Sequence, residues 1–189
     1  MSDHAIAKAD ADELRAILEA YRTVKKASWP ELHLAMEQRA ARWPLADEAE
    51  LRAELEGYLK ETAAPNCSVR VFWKLGPKFL FGGVNGHFAH DAGLSASDLL
   101  GADDFDSRLP WSAQAAKYRA DDKEVFDSGT AKLDILERQT SPSGVVFWVH
   151  VGKAPIRSAR GAVVGVLGMY ELVDDKTAQK LFFERSQRH

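Results

Sequence analysis

The chain has 189 residues, of which 46 % are hydrophobic and 28 % charged, and its formal net charge is −3. This composition indicates a soluble globular protein that is large enough to build its own core. The negative net charge argues against a nucleic-acid partner, because nucleic-acid-binding surfaces are usually basic. The single cysteine, Cys67, excludes an internal disulfide framework and any CxxC metal site.

The beginning of the chain bears on its location. Acidic residues stand where a signal peptide would carry positive charge and an apolar stretch. No run approaches the roughly 18 apolar residues needed to cross a bilayer. We therefore expect a cytoplasmic protein with no membrane partner.

Residues 1–64 are predicted to form a helical segment of about three helices. Apolar residues recur three or four positions apart, as on one face of a helix. Ser28 begins the second helix with a capping-box pattern, Pro44 ends it, and Asp47 opens the third. We expect these helices to pack on the rest of the chain or on a second copy of it.

The pattern changes after Pro65 to a period of two. Val69, Val71, Trp73 and Leu75 alternate with more polar positions, which predicts a half-buried first strand. The elements predicted after this point are strands at 69–75 and 79–81, short helices at 86–93 and 95–100, a longer helix at 112–128, strands at 132–139, 145–153 and 162–172, and a last helix ending near 183.

This order predicts an α+β fold with a five-stranded antiparallel sheet and a helical insert, and it resembles the PAS family. The resemblance covers about residues 68–174. Within the family, this stretch is most similar to the sensory-box subgroup common in bacterial proteins. The stretches that carry it are Phe72-Trp73-Lys74, Gly83 to Phe88, Ala92-Gly93-Leu94-Ser95, Leu99-Leu100-Gly101, Asp104-Phe105-Asp106, Trp111, Ala115 to Arg119, Asp122 to Gly129, Lys153-Ala154-Pro155-Ile156, Gly161 and Val164-Gly165-Val166.

The predicted domains are therefore a helical segment at 1–64, the PAS-like sensor domain at 65–174 and a C-terminal helix at 175–189. A stand-alone signal-transduction protein is expected, which binds a small ligand or a protein partner. It would signal through its flanking helices and through homodimerisation, or to a separately encoded effector. Nothing in the sequence matches an enzyme motif, so binding is expected rather than catalysis.

A ligand site would lie between the sheet and the helices. Arg119 would select carboxylates if it faced that cavity. Which face of the strand at 145–153 points inward is left open, because both faces are apolar. The candidate ligand-binding residues are Asn85, His87, Phe88, Trp111, Tyr118, Arg119, Trp148 and His150.

No cofactor is identified. Haem held as in the best-known PAS arrangement is disfavoured, because the long helix has no histidine. The flavin adduct of the LOV branch is disfavoured, because Cys67 precedes the first strand. His87 and His90 are interpreted as surface histidines rather than as metal ligands. Asp103, Asp104 and Asp106 are interpreted as loop-capping residues rather than as a metal site.

Two alternatives stay open. An NTF2-like enzyme or carrier would keep an acid–base pair in its cavity, which Asp134 or Glu137 with His150 could supply. Helices inserted between the second and third strands would favour PAS over this class. The other alternative is a homodimerisation module with a filled core and no ligand.

Overall fold

A computed structural model describes residues 12, 15–20, 23, 68–158 and 160–187. The N-terminal residues among these are helical. The predicted second and third helices, and Cys67, lie outside the described residues. Across the part of the chain that the structure describes, no helix is both long and apolar enough to span a bilayer.

The described chain after residue 67 forms one antiparallel sheet with helices, as predicted. The sheet order is β2-β1-β5-β4-β3. Its strands are β1 (Arg70–Leu75), β2 (Leu80–Val84), β3 (Lys132–Thr140), β4 (Val146–Arg157) and β5 (Val163–Val173). The helices are α1 (Gly86–Ala92), α2 (Ala96–Leu99), α3 (Ala115–Ser128), entered through a 3₁₀ turn at Ser112–Gln114, and α4 (Asp175–Ser186).

The connection from β2 to β3 carries α1, α2 and α3, so the helical insert lies where the PAS prediction places it. This topology favours PAS over the NTF2-like alternative. The insert covers one face of the sheet, called here the inner face. The opposite, outer face receives the N-terminal helical residues and α4.

The prediction that β1 is half-buried is wrong, because both of its faces are covered. On the outer face, Val71 and Trp73 belong to one apolar cluster with Ile17 and Leu18 of the N-terminal helix. On the inner face, Lys74 is only 1 % exposed. The alternation of apolar and polar residues predicted that the Lys74 face of β1 is solvated. Lys74 is buried instead, because two carboxylates pair with its ammonium group.

Asn85 joins the end of β2 to the start of α1. Its Oδ1 accepts hydrogen bonds from the backbone N–H groups of Phe88 and Val71, each at 3.1 Å. Its Nδ2 donates to the Val69 carbonyl at 3.0 Å. The side chain thus caps α1 and ties it to the edge of β1.

Gly168 of β5 allows the Phe72 ring of β1 to pack directly against the β5 backbone. It pairs with Phe72 across β5 and β1. A Cβ atom at this position would lie 2.1 Å from the Phe72 ring. The tip of the Phe72 ring therefore lies over the bare backbone of β5, on the inner face.

Candidate ligand-binding cavity

A cavity of about 40 Å³ lies between the inner face and the helical insert. Strands contribute most of its walls, and α1, α3 and the loop before α3 close it. Its lining residues are Phe72, Lys74, Phe81, Phe88, Asp104, Trp111, Tyr118, Glu137, Gln139, Val149, Val151, Lys153 and Tyr170.

One wall of the cavity is aromatic and is centred on Phe88 of α1. The Phe88 ring centroid lies 5.1 Å from that of Phe72, 5.5 Å from that of Phe81 and 5.5 Å from that of Trp111. The Phe88 ring meets those of Trp111 and Tyr170 edge to face, which is a favoured arrangement for aromatic pairs, and it is tilted against those of Phe72 and Phe81. The wall is therefore packed and apolar.

Next to this wall lies a buried ion-pair network, in which Asp122 of α3 is the central member; Lys74 Nζ is 5.1 Å from the ring centroids of both Phe72 and Phe81. Lys74 Nζ donates to Asp104 Oδ2 and to Asp122 Oδ2, both at 2.6 Å. Lys153 Nζ donates to Asp122 Oδ1, also at 2.6 Å. Two ammonium groups thus face two carboxylates, and the network is electrically balanced.

The environment of Asp122 favours its ionised form. Burial alone would raise the pKa of this carboxyl group, but the ammonium groups of Lys153 and Lys74 outweigh burial and lower it. Such a network stabilises a fold only when it is complete, because a lone buried charge is costly.

Glu137 is the polar residue of the cavity whose hydrogen bonding is incomplete. It is only 3 % exposed. Among the described residues, no group donates a hydrogen bond to its Oε1, and Lys117 Nζ lies 3.6 Å away. Burial raises the pKa of Glu137, and its hydrogen bond with Asp121 acts in the same direction. The neutral carboxyl group is thereby favoured.

Three of the predicted ligand-binding residues line this cavity: Phe88, Trp111 and Tyr118. Asn85 lies behind α1 as its cap, and His87 is half-buried on α1 without lining the cavity. Ligand binding by these residues stays a prediction.

The structure places Arg119 away from the cavity, so it cannot select a carboxylate there. It donates to Asp103 Oδ2 at 3.1 Å. Its guanidinium lies over the rings of Phe79 and Phe105, at 5.1 and 5.2 Å from their centroids. Arg119 directly follows the cavity-lining Tyr118, so its side chain leaves α3 about 100° further around the helix axis.

Trp148 and His150 lie on the outer face, because β4 directs its odd-numbered residues Val149 and Val151 inward. The Trp148 ring packs under the Arg138 guanidinium at 4.7 Å. His150 Nε2 lies 3.1 Å from Asp134 Oδ1. Glu137 faces the cavity on the other side of the sheet, so it cannot form an acid–base pair with His150.

The acidic loop at 103–106 does not gather its carboxylates. Asp104 pairs with Lys74, Asp103 with Arg119, and Asp106 with Arg108. No cluster of possible metal ligands occurs among the described residues.

Sequence reasoning missed the polar half of the cavity: Lys74, Asp104, Asp122, Glu137, Gln139 and Lys153. The sequence did contain a signal for the lysines. Lys74 lies on the same face of β1 as Phe72, and Lys153 lies on the same face of β4 as Val149 and Val151. Two lysines on apolar strand faces could have indicated buried acidic partners.

No protein-family model and no curated protein matches the sequence. Solved structures do match it. A phage VqmA–DPO complex is 20 % identical with a TM-score of 0.54, over 71 % of this chain and 58 % of that one. The PAS domain of a protein from Colwellia psychrerythraea is 13 % identical with a TM-score of 0.50, over 63 % of this chain and 96 % of that one. This chain has the PAS fold.

A light-oxygen-voltage domain studied with a flavin analogue is also similar to this PAS fold, with 16 % identity and a TM-score of 0.54, over 72 % of this chain and 96 % of that one. The chain spans about half the length of the VqmA structures that it matches. At these identities the likeness concerns the fold alone.

Proposed function

We propose that this PAS protein is a sensor that binds a small molecule in the cavity between its sheet and its helices, and that it acts by binding rather than by catalysis. The observation that carries the proposal is Glu137, a buried residue that lines the cavity and whose Oε1 has no hydrogen-bond donor among the described residues. A buried acceptor left without a donor costs free energy, which a ligand with a donor group would recover. The phage VqmA relative was solved in complex with DPO, which supports a ligand role for this fold.

The ion-pair network connects the cavity to the rest of the domain. Asp122 holds α3 against β1 and β4, and both of its lysine partners line the cavity. The N-terminal helix and α4 pack on the outer face of the same sheet. A ligand that binds one arrangement of these elements better than another would shift their populations and so transmit the signal.

A second candidate is a homodimerisation module without a ligand. The observation that favours it is the size of the cavity, because about 40 Å³ is enough for a few water molecules. Both candidates use the flanking helices, and they differ in whether a small molecule is bound.

Native mass spectrometry of the purified full chain tests the two candidates, because it reports bound mass and subunit count together. The sensor predicts an adduct of low mass, retained from the expressing cells or formed on adding small molecules, and lost on denaturation. A dimer that never carries an adduct would support the module and contradict the sensor.

A further inference from the structure

Glu137 lies between the cavity and a groove at the protein surface. An open groove of about 530 Å³ runs along the exposed edge of β3 beside the start of α3. Glu137 lines both this groove and the cavity. Lys117, whose side chain is 55 % exposed, stands at the junction with its Nζ 3.6 Å from Glu137 Oε1.

We propose that the cavity takes a compact, uncharged molecule whose N–H or O–H group donates a hydrogen bond to Glu137 Oε1. This inference rests on the proposed function and specifies its ligand class. The requirement for a donor follows from the geometry, because Oε1 is buried and accepts no hydrogen bond from the described residues.

The requirement for an uncharged ligand follows from the neighbouring charges. Lys74 and Lys153 are already matched by Asp104 and Asp122, so an anion would find no free cation among these groups and would face buried carboxylates. A cation would be desolvated beside two buried ammonium groups. Burial of Glu137 favours its neutral form, which further weakens the attraction for a cation.

The requirement for a compact ligand follows from the space. A cavity of about 40 Å³ holds a few water molecules, whereas an apolar cavity of about 150 Å³ binds benzene. A ligand of a few non-hydrogen atoms fits without moving the aromatic wall.

Four isosteric probes separate these requirements. Acetamide is neutral with an N–H donor, acetone is neutral without a donor, acetate is an anion, and acetamidinium is a cation. Ligand-observed NMR on the full chain gives a dissociation constant for each, and the indole N–H resonance of Trp111 reports binding in the cavity. Acetamide should bind about tenfold more tightly than each of the other three, since one satisfied buried acceptor is worth about this factor.

Variants of Glu137 assign the effect to this side chain. Glu137→Gln keeps an amide oxygen as acceptor and should bind acetamide within about threefold of the parent. Glu137→Leu removes the acceptor at similar size and should lose about tenfold. Glu124→Gln, on the exposed side of α3, is the matched control and should change nothing. Circular dichroism verifies that each variant is folded.

Equal binding of acetone and acetamide, tighter binding of either ion, or no effect of Glu137→Leu would overturn the inferred ligand class. Failure of all four probes to bind would overturn it as well. If native mass spectrometry nevertheless showed another bound small molecule, only the inferred ligand class would be wrong. If no adduct were found, the proposed sensor function would be wrong as well.

Discussion

Asn85 shows how a single buried amide can organise a junction between two elements. Its oxygen and nitrogen serve three backbone groups, on Val69, Val71 and Phe88, in a site that is 3 % exposed. The position of α1, and therefore of the Phe88 ring in the cavity wall, depends on these bonds. Asn85 thus affects the cavity through α1, without lining it.

Asn85→Ala should destabilise the fold by about 3 kcal/mol, because it removes a helix cap and leaves buried backbone groups without partners. Urea denaturation followed by circular dichroism measures this change. Ser95→Ala is the matched control, since Ser95 caps α2 at the surface, and it should cost about 1 kcal/mol. Equal costs for both variants would contradict the role given to Asn85.

At the scale of elements, α3 is held to the sheet by charge as well as by apolar contacts. Two of its five buried residues, Asp121 and Asp122, are acidic. Asp122 receives Lys74 from β1 and Lys153 from β4, two strands separated in the sheet by β5. The helix therefore fixes the spacing of three strands at one point.

Asp122→Asn should cost about 3–5 kcal/mol, because it leaves two buried lysines without a full counter-charge. Asp127→Asn is the control on the same helix: Asp127 is paired with Lys123 at the surface, and its loss should cost less than about 1 kcal/mol. Chemical denaturation of both variants at neutral pH makes the comparison. A small loss for Asp122→Asn would show that the network contributes little.

The same carboxyl group predicts a dependence on pH. Because the pKa of Asp122 is lower in the folded protein than its ordinary value of 3.8, the folded state binds this proton less readily than the unfolded state. Its contribution is therefore complete above pH 3.8 and is lost as the pH falls through the lower folded value. When the free energy of unfolding is measured across this pH range, it should fall more steeply with decreasing pH in the parent than in Asp122→Asn.

At the scale of the whole molecule, α4 presents apolar side chains to solvent. Phe182 and Phe183 are 68 % and 63 % exposed, and Val145 and Val146 on the β3–β4 hairpin are exposed as well. Exposed aromatic pairs of this kind commonly belong to protein interfaces. They support the homodimer as a proposal.

The double variant Phe182→Ser/Phe183→Ser should weaken self-association at least tenfold, since aromatic residues often dominate the binding energy of an interface. Sedimentation velocity over a range of concentrations measures the change. Leu100→Ser removes another exposed apolar side chain, at the C-cap of α2, and should leave association unaltered. A parent chain that stays monomeric at high concentration would refute the dimer.

Much of the fold could be predicted because its signals are local. Alternation located the strands, Ser95 and Gly129 marked helix boundaries, and turn residues separated β3, β4 and β5. The site was predicted only in its aromatic part. Strand parity could not decide which face of β4 is inward, since Trp148 and Val149 are both apolar. Burial of Lys74 depends on Asp104 and Asp122, which are 30 and 48 residues away in sequence.

Gly168 suggests where the size of the cavity is determined. Since a Cβ atom there would lie 2.1 Å from the Phe72 ring, any side chain at this position on β5 would force a ring of the cavity lining to move. In related chains, the residue at this one position would therefore change the cavity volume available to a ligand, while the polar groups that contact the ligand stay in place.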